Sequence, residues 1–193
     1  MKTGILGGSF DPVHNGHIET ALFCKSAFHL DRLMFLPLGD APHKKKMASK
    51  QIRLQMLEAA LEGMEGCCIS RLELEREGKT YTYDTVKWLR EHTEGQYFYI
   101  IGADTVNTMH TWYRAPEVFA AIEFIVAGRA GVDIAQGTAR VREMGAKLHF
   151  ADFVGPDISS TEIKQRIHRG LGIDAMVPPG VLEIIDKYEL YRD

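Results

Sequence analysis

Apolar residues run along this chain in short blocks, separated by stretches where they recur at helical spacing. Residues 2–6 form a block that stops at Gly7-Gly8 and reads as a strand. Over residues 17–29, Ile18, Ala21, Leu22 and Cys24 fall at helical intervals. Arg32-Leu33-Met34-Phe35-Leu36 predicts a second buried strand, closed by Pro37. Residues 50–61 predict a helix with Ile52, Leu54, Met56, Leu57, Ala60 and Leu61 as its apolar positions and Ser49 as N-cap. Ile69 to Leu74 alternates polar and apolar side chains, the pattern of a half-exposed strand. Thr82 is placed to cap a helix reaching about His92. Tyr97-Phe98-Tyr99-Ile100-Ile101 predicts a strand ending at Gly102, Phe124-Ile125-Val126-Ala127 another, and Lys147-Leu148-His149-Phe150 a weaker one. Helices over 160–168 and 179–187 close the chain, the second opened by Pro178-Pro179.

Strands separated by helices require crossover connections, and these give a mainly parallel sheet. The expected fold is α/β and doubly wound, with helices on both faces of the sheet, in one domain over residues 1–193. Such sheets bind ligands beyond the carboxyl ends of their strands. Candidate chemistry is therefore sought just after strands.

Composition changes this picture little. The chain has 193 residues, 45% of them hydrophobic and 25% charged, with a net charge of -3, so no global charge favours nucleic acid or a membrane surface. No apolar run is long enough to span a bilayer, and the segment from Met1 to Gly8 lacks the features of a signal peptide. The spacing of Cys24, Cys67 and Cys68 fits neither a disulfide frame nor a zinc site, so a reducing cytoplasm is the expected location. Oligomeric state stays open, a homo-oligomer included.

The densest chemistry lies in Gly7-Gly8-Ser9-Phe10-Asp11-Pro12-Val13-His14-Asn15-Gly16-His17, which follows a strand and opens a helix. Glycines there let backbone N–H groups approach a phosphate, and a helix N-terminus favours negative charge. His14 and His17 are three residues apart, so both rings can face one point and donate to oxygens that gain charge in phosphoryl or nucleotidyl transfer. A tight turn or a metal pair would use the same residue types, but no further ligands stand nearby at zinc spacing. The string lacks the glycine pattern of the dinucleotide fingerprint and the Gly-Lys-Ser/Thr of a P-loop. A second string, Ile158-Ser159-Ser160-Thr161-Glu162-Ile163-Lys164-Gln165-Arg166, begins a helix, and Ser159 with Glu162 has the spacing of a capping box. Its exposed amides, hydroxyls and Lys164 also suit phosphate.

The first string resembles the Gly-Gly-x-Phe-Asp-Pro-x-His-x-Gly-His signature of the cytidylyltransferase-like nucleotidyltransferases, a Rossmann-like superfamily, and matches it throughout. The second is similar to that family's Ile-Ser-Ser-Thr-x-Ile-Arg, with Lys164 where arginine is usual. Lysine keeps the charge and loses the bidentate fork. Within the superfamily, four further segments resemble bacterial nicotinate-mononucleotide adenylyltransferases. They are Pro42-His43-Lys44, Thr80-Tyr81-Thr82-Tyr83-Asp84-Thr85, Ile100-Ile101-Gly102-Ala103-Asp104 and Thr111-Trp112-Tyr113. Arg129 resembles the arginine of the family's Arg-Pro-Gly, with Ala130 in place of proline.

The resemblance implies transfer of AMP from ATP to nicotinate mononucleotide, with His14 and His17 as catalytic groups and Mg²⁺ carried in with ATP. It implies ATP contacts at Gly7, Gly8, Ser9, Phe10, Gly16, His43, Lys44, Gly102, Asp104, Arg129, Ile158, Ser159, Ser160, Thr161 and Lys164. It assigns the pyridine ring to Trp112 and its carboxylate to backbone near Thr82 and Tyr113. No set of carboxylates is read as a dedicated metal cage. Nicotinamide mononucleotide and pantetheine phosphate stay open as acceptors, as does a non-catalytic nucleotide sensor.

Overall fold

The computed structural model describes residues 1–39, 47–128 and 131–192. Among them, six strands form one parallel sheet: β1 (Lys2–Gly8), β2 (Arg32–Pro37), β3 (Cys67–Ile69), β4 (Gln96–Gly102), β5 (Glu123–Gly128) and β6 (Leu148–Val154). Their order across the sheet is β3-β2-β1-β4-β5-β6, the doubly wound order that the alternation of strands and helices predicts. The chain leaves β1 to one side and returns to β4 on the other. The strand order therefore reverses between β1 and β4, which pair directly through Leu6 and Ile100.

Among the described residues there are eight α-helices, six between strands and two after β6: α1 (Asn15–Ala27), α2 (Lys50–Ala60), α3 (Thr82–His92), α4 (Ala103–Val106), α5 (Ala115–Ala121), α6 (Ala135–Glu143), α7 (Ser160–His168) and α8 (Pro179–Lys187). A 3-10 turn spans Met109–Thr111. Parallel strands bury both faces, so their side chains split between two cores. Leu33 and Phe35 of β2 pack with Met56, Leu57 and Val181 on one side. Tyr99, Phe124 and Val126 pack with Leu89, Phe119 and Val141 on the other.

Most predicted elements appear within two residues of their expected ends. The exceptions are 147–150, where the strand runs on to Val154, and 69–74. The strand there is Cys67–Ile69, and beyond it the chain turns, with Glu75 N–H donating to the Arg71 carbonyl at 3.0 Å. The turn overrides the alternation, which would leave Glu73 on an exposed polar face. Glu73 is buried. Helices α4 and α5 and the 3-10 turn are too short to stand out in sequence, and α6 (Ala135–Glu143) carries too few large apolar residues. Their amphipathic faces are completed by neighbours distant in the chain.

Candidate active site

A cleft of about 550 Å³ opens at the carboxyl ends of β1 and β4, where the strand order reverses. One wall is the exit of β1, with Gly7, Gly8 and Ser9, followed by His14, Gly16 and His17 at the start of α1. Opposite lie Gly102 and Asp104 at the exit of β4. The segment Ile158–Thr161 at the start of α7 also lines the cleft, as do Thr82 and Trp112. Two of the glycines are needed for contact. A Cβ at Gly7 would fall on the Tyr99 hydroxyl, and one at Gly16 would stand 3.1 Å from His14 Nδ1.

The two imidazoles stack at a centroid distance of 3.6 Å, and the Phe10 ring meets His17 edge-on at 5.1 Å. The His14 backbone N–H donates to His17 Nδ1 at 3.3 Å. A backbone N–H can only donate, so His17 Nδ1 accepts and the ring hydrogen sits on Nε2. His14 is buried, and its Nδ1 has no hydrogen-bond partner among the described residues. Burial lowers its pKa to about 4. The pair therefore meets the cleft at neutral pH with His14 as an uncharged ring.

That shift has a consequence for stability. His14 ordinarily titrates near 6.5, so the unfolded chain binds a proton that the folded chain refuses. Its stabilisation is complete above about pH 6.5 and is lost as the pH falls to about 4. Relative to His14→Gln, the wild-type protein should lose about 2 kcal/mol between pH 7 and pH 5. Urea melts of both proteins at the two pH values check this, and parallel losses would refute it. A bound triphosphate should shrink the difference, because an anion favours the protonated ring.

The loop carrying the histidines is held from outside the cleft by Asp11, which is 2% exposed. Its Oδ1 accepts from the Tyr191 hydroxyl at 2.7 Å and from the Ala48 N–H at 3.1 Å, and its Oδ2 pairs with Lys164 Nζ. Ser160 Oγ donates to the Pro12 carbonyl at 3.0 Å, tying the start of α7 to the same loop. The buried Arg53 guanidinium donates to the Ser9 carbonyl at 2.8 Å and to the Ala48 carbonyl at 3.2 Å. Arg53 is not among the apolar positions read for α2, yet it is buried with Met56, Leu57 and Ala60, three, four and seven residues on.

The structure brings Gly7, Gly8, Ser9, His14, Gly16, His17, Gly102, Asp104, Ile158, Ser159, Ser160, Thr161, Thr82 and Trp112 to one cleft. Three other residues singled out in the sequence lie elsewhere. The Phe10 side chain is fully buried against Phe35, so only its backbone can reach a ligand. Lys164 is occupied by Asp11 and lies over the Tyr191 ring. Tyr113 is 53% exposed and packs on Tyr81 and Tyr83 outside the cleft. His43, Lys44 and Arg129 lie outside the described residues. The expected opening of α1 to phosphate begins at Gly16, because the Asn15 N–H already donates to the Met176 carbonyl at 2.9 Å. Ser159 caps α7 as its spacing predicts, accepting from the Glu162 N–H at 3.1 Å.

Glu73 and Tyr99 also line the cleft and were not singled out in the sequence. Thr85 Oγ1 donates to Glu73 Oε1 at 2.7 Å. Burial raises the Glu73 carboxyl above its ordinary range, opposed by that hydroxyl, the Arg76 charge, the Thr80 hydroxyl and the Gly39 N–H. Burial and the Glu73 charge push the Tyr99 phenol far up, opposed by Thr82. Tyr99 reads as one more apolar strand residue, and Glu73 as one more exposed charge, so neither carries a local signal.

The sequence profile of the cytidylyltransferase-like family matches residues 5–166. A protein of Clostridium perfringens named "Probable nicotinate-nucleotide adenylyltransferase" is 36% identical over 198 residues, covering 99% of this chain and 98% of its own length. An Exiguobacterium sibiricum protein of the same name is 36% identical over 193 residues, covering 99% of each chain. Among solved structures, the Plasmodium falciparum nicotinic acid mononucleotide adenylyltransferase complexed with NaAD superposes with a TM-score of 0.81 at 19% identity. That match covers 98% of this chain and 97% of that one.

Proposed function

We propose, for a chain that belongs to the cytidylyltransferase-like family and within it to the nicotinate-nucleotide adenylyltransferases, that this cleft moves the adenylyl group of ATP onto nicotinate mononucleotide. The products are nicotinate adenine dinucleotide and pyrophosphate, and the step belongs to NAD biosynthesis. The observation that carries the reading is the stacked pair His14 and His17, set between the amides after β1 and the capped start of α7.

The triphosphate lies along Gly8 and Ser9, the start of α1 and Ser159 to Thr161. Amides and hydroxyls there meet phosphate oxygens. The acceptor's 5′-phosphate oxygen attacks the α-phosphorus in line. The new P–O bond forms as the bond to the β-phosphate bridging oxygen breaks, and pyrophosphate leaves with the electron pair. A phosphate monoester is already ionised near neutral pH, so the step needs no strong base. Catalysis is positioning and stabilisation of charge. His17 Nε2–H donates to an oxygen that gains charge in the transition state, and neutral His14 stands behind it. Lys164 acts at one remove, through Asp11, by holding the histidine loop.

Among the described residues, no three His, Cys, Asp or Glu side chains meet in a cluster able to hold a metal. Mg²⁺ would enter on the triphosphate oxygens and be completed by water, as the resemblance to the family implies. When bound, the ion neutralises charge on the leaving group. Elsewhere in the cleft, Trp112 offers a face to the cationic pyridine ring, and the start of α3 offers amides that favour a carboxylate over a neutral amide. Among the described residues, no helix is long and apolar enough to cross a membrane.

The test is Mg²⁺-dependent pyrophosphate release from ATP with nicotinate mononucleotide, nicotinamide mononucleotide or pantetheine phosphate as acceptor. The first should be preferred. Preference for another keeps nucleotidyl transfer and overturns the acceptor. ATP binding without release in any mixture favours a sensor.

A further inference from the structure

A carboxylate in the wall of a cleft that takes anions needs a physical reason. Burying it costs free energy, and its charge opposes the negative groups of both substrates. An apolar side chain of the same size would fill the space without either penalty. Glu73 is nonetheless 2% exposed and lines the cleft.

What surrounds it supplies the reason. Glu73 Oε1 accepts from Thr85 Oγ1 at 2.7 Å, and Thr85 is fully buried. Thr85 lies three residues after Thr82, so both project from one side of the first turn of α3. Thr82 lines the cleft and faces the Tyr99 phenol, whose hydroxyl occupies the space beside Gly7. On its other side, Glu73 meets the exit of β2. The Gly39 N–H favours its charged form, and a Cβ at Gly39 would strike the Glu73 carbonyl oxygen and stand 2.9 Å from Thr80 Cγ2. One side chain thus joins the end of β2, the first turn of α3 and, through that turn, the strand exits of β4 and β1.

We propose that Glu73 is a positioning residue for the acceptor substrate: by holding Thr85 it sets the rotation of the first turn of α3, and so the place where Thr82 and its neighbouring amides meet the pyridine carboxylate. The inference rests on the acceptor assignment made above. Its effect is confined to one half of the cleft, because the described contacts of Glu73 do not reach His14, Gly16 or Ser159 to Thr161.

The experiment is steady-state kinetics with each substrate varied in turn, for wild type, Glu73→Ala, Glu73→Gln and Thr85→Val. Glu73→Ala should raise KM for nicotinate mononucleotide by about tenfold, the size of one lost buried hydrogen bond, and move KM for ATP by less than about threefold. Glu73→Gln should stay within about threefold of wild type, because its oxygen can accept from Gly39 while its amide donates to a rotated Thr85 hydroxyl. Thr85→Val should shift the same constant as Glu73→Ala, by less. Equal effects on both KM values, a glutamine variant as impaired as the alanine variant, or no effect of Glu73→Ala would each overturn the proposal. If Glu73→Ala does not fold, Thr85→Val decides, and an unchanged acceptor KM overturns it. Failure of the acceptor assignment is read separately, from wild type alone, as a lack of turnover with nicotinate mononucleotide.

Discussion

His17→Ala should cut kcat by about 100- to 1,000-fold, the typical cost of removing one preorganised donor to a transition-state oxygen. The melting temperature should stay within about 3 °C of wild type. His17 is half-buried and lines the cleft, and the bond from the His14 N–H fixes its hydrogen on Nε2. Truncation takes the acceptor from the part-buried His14 N–H, and the space it opens joins the cleft, from which water can replace the lost acceptor, so the stability cost is about 1 kcal/mol. Pyrophosphate release and a thermal melt on the same preparation check both halves. A large drop in melting temperature with normal turnover would remove His17 from the chemistry and make it a packing residue.

Asp11→Ala should show the opposite profile and the largest loss of stability of any single change considered. Asp11 is 2% exposed and the Lys164 side chain is 30% exposed, so truncation strands a largely buried ammonium. It also removes the acceptor for the Tyr191 hydroxyl and the Ala48 N–H. Breaking a buried pair from one side costs about 3 kcal/mol or more, equivalent to roughly 10 °C in a chain of this length. Adding Lys164→Met to Asp11→Ala should recover part of that loss, because the uncompensated charge is then gone. Denaturant melts of the two single variants and the double variant check this. A loss under about 1 kcal/mol for Asp11→Ala, or strict additivity in the double variant, would show that the pair contributes little. The two predictions together separate a residue that works on substrate from one that holds the loop on which the first residue sits.

Much of the architecture was legible along the chain. The blocks at 2–6, 32–36, 97–101 and 124–127 are strands, and the helices at 50–61, 160–168 and 179–187 lie within a residue or two of their expected ends. These elements are long or strongly apolar, so local periodicity decides them. The cleft was legible for a related reason. The cleft's lining loops are built from contiguous residues, and Gly7 to His17 and Ile158 to Thr161 bring glycines, histidines and hydroxyls in short strings beside strand ends.

What local pattern could not decide was direction and partner. The alternation at 69–74 is the same whether Glu73 faces water or the cleft, and the turn after Ile69 settles it. Lys164 reads as a phosphate contact by its place in a motif, yet its nearest anion is Asp11, 153 residues earlier in the chain. Asp11 in turn is held by Tyr191, 180 residues away. Tyr113, next to Trp112 in sequence, turns outward to Tyr81 while Trp112 lines the cleft. The amino-acid sequence by itself determined the alternating elements, the sheet class and the two strings that line the cleft, because each depends on interactions within one turn or one strand. Only the tertiary structure decided which charges are buried and what they hold. Burial and pairing are set by the crossing of β1, α3, α7 and the final turn, and those crossings bring together side chains that have no neighbour in common along the chain.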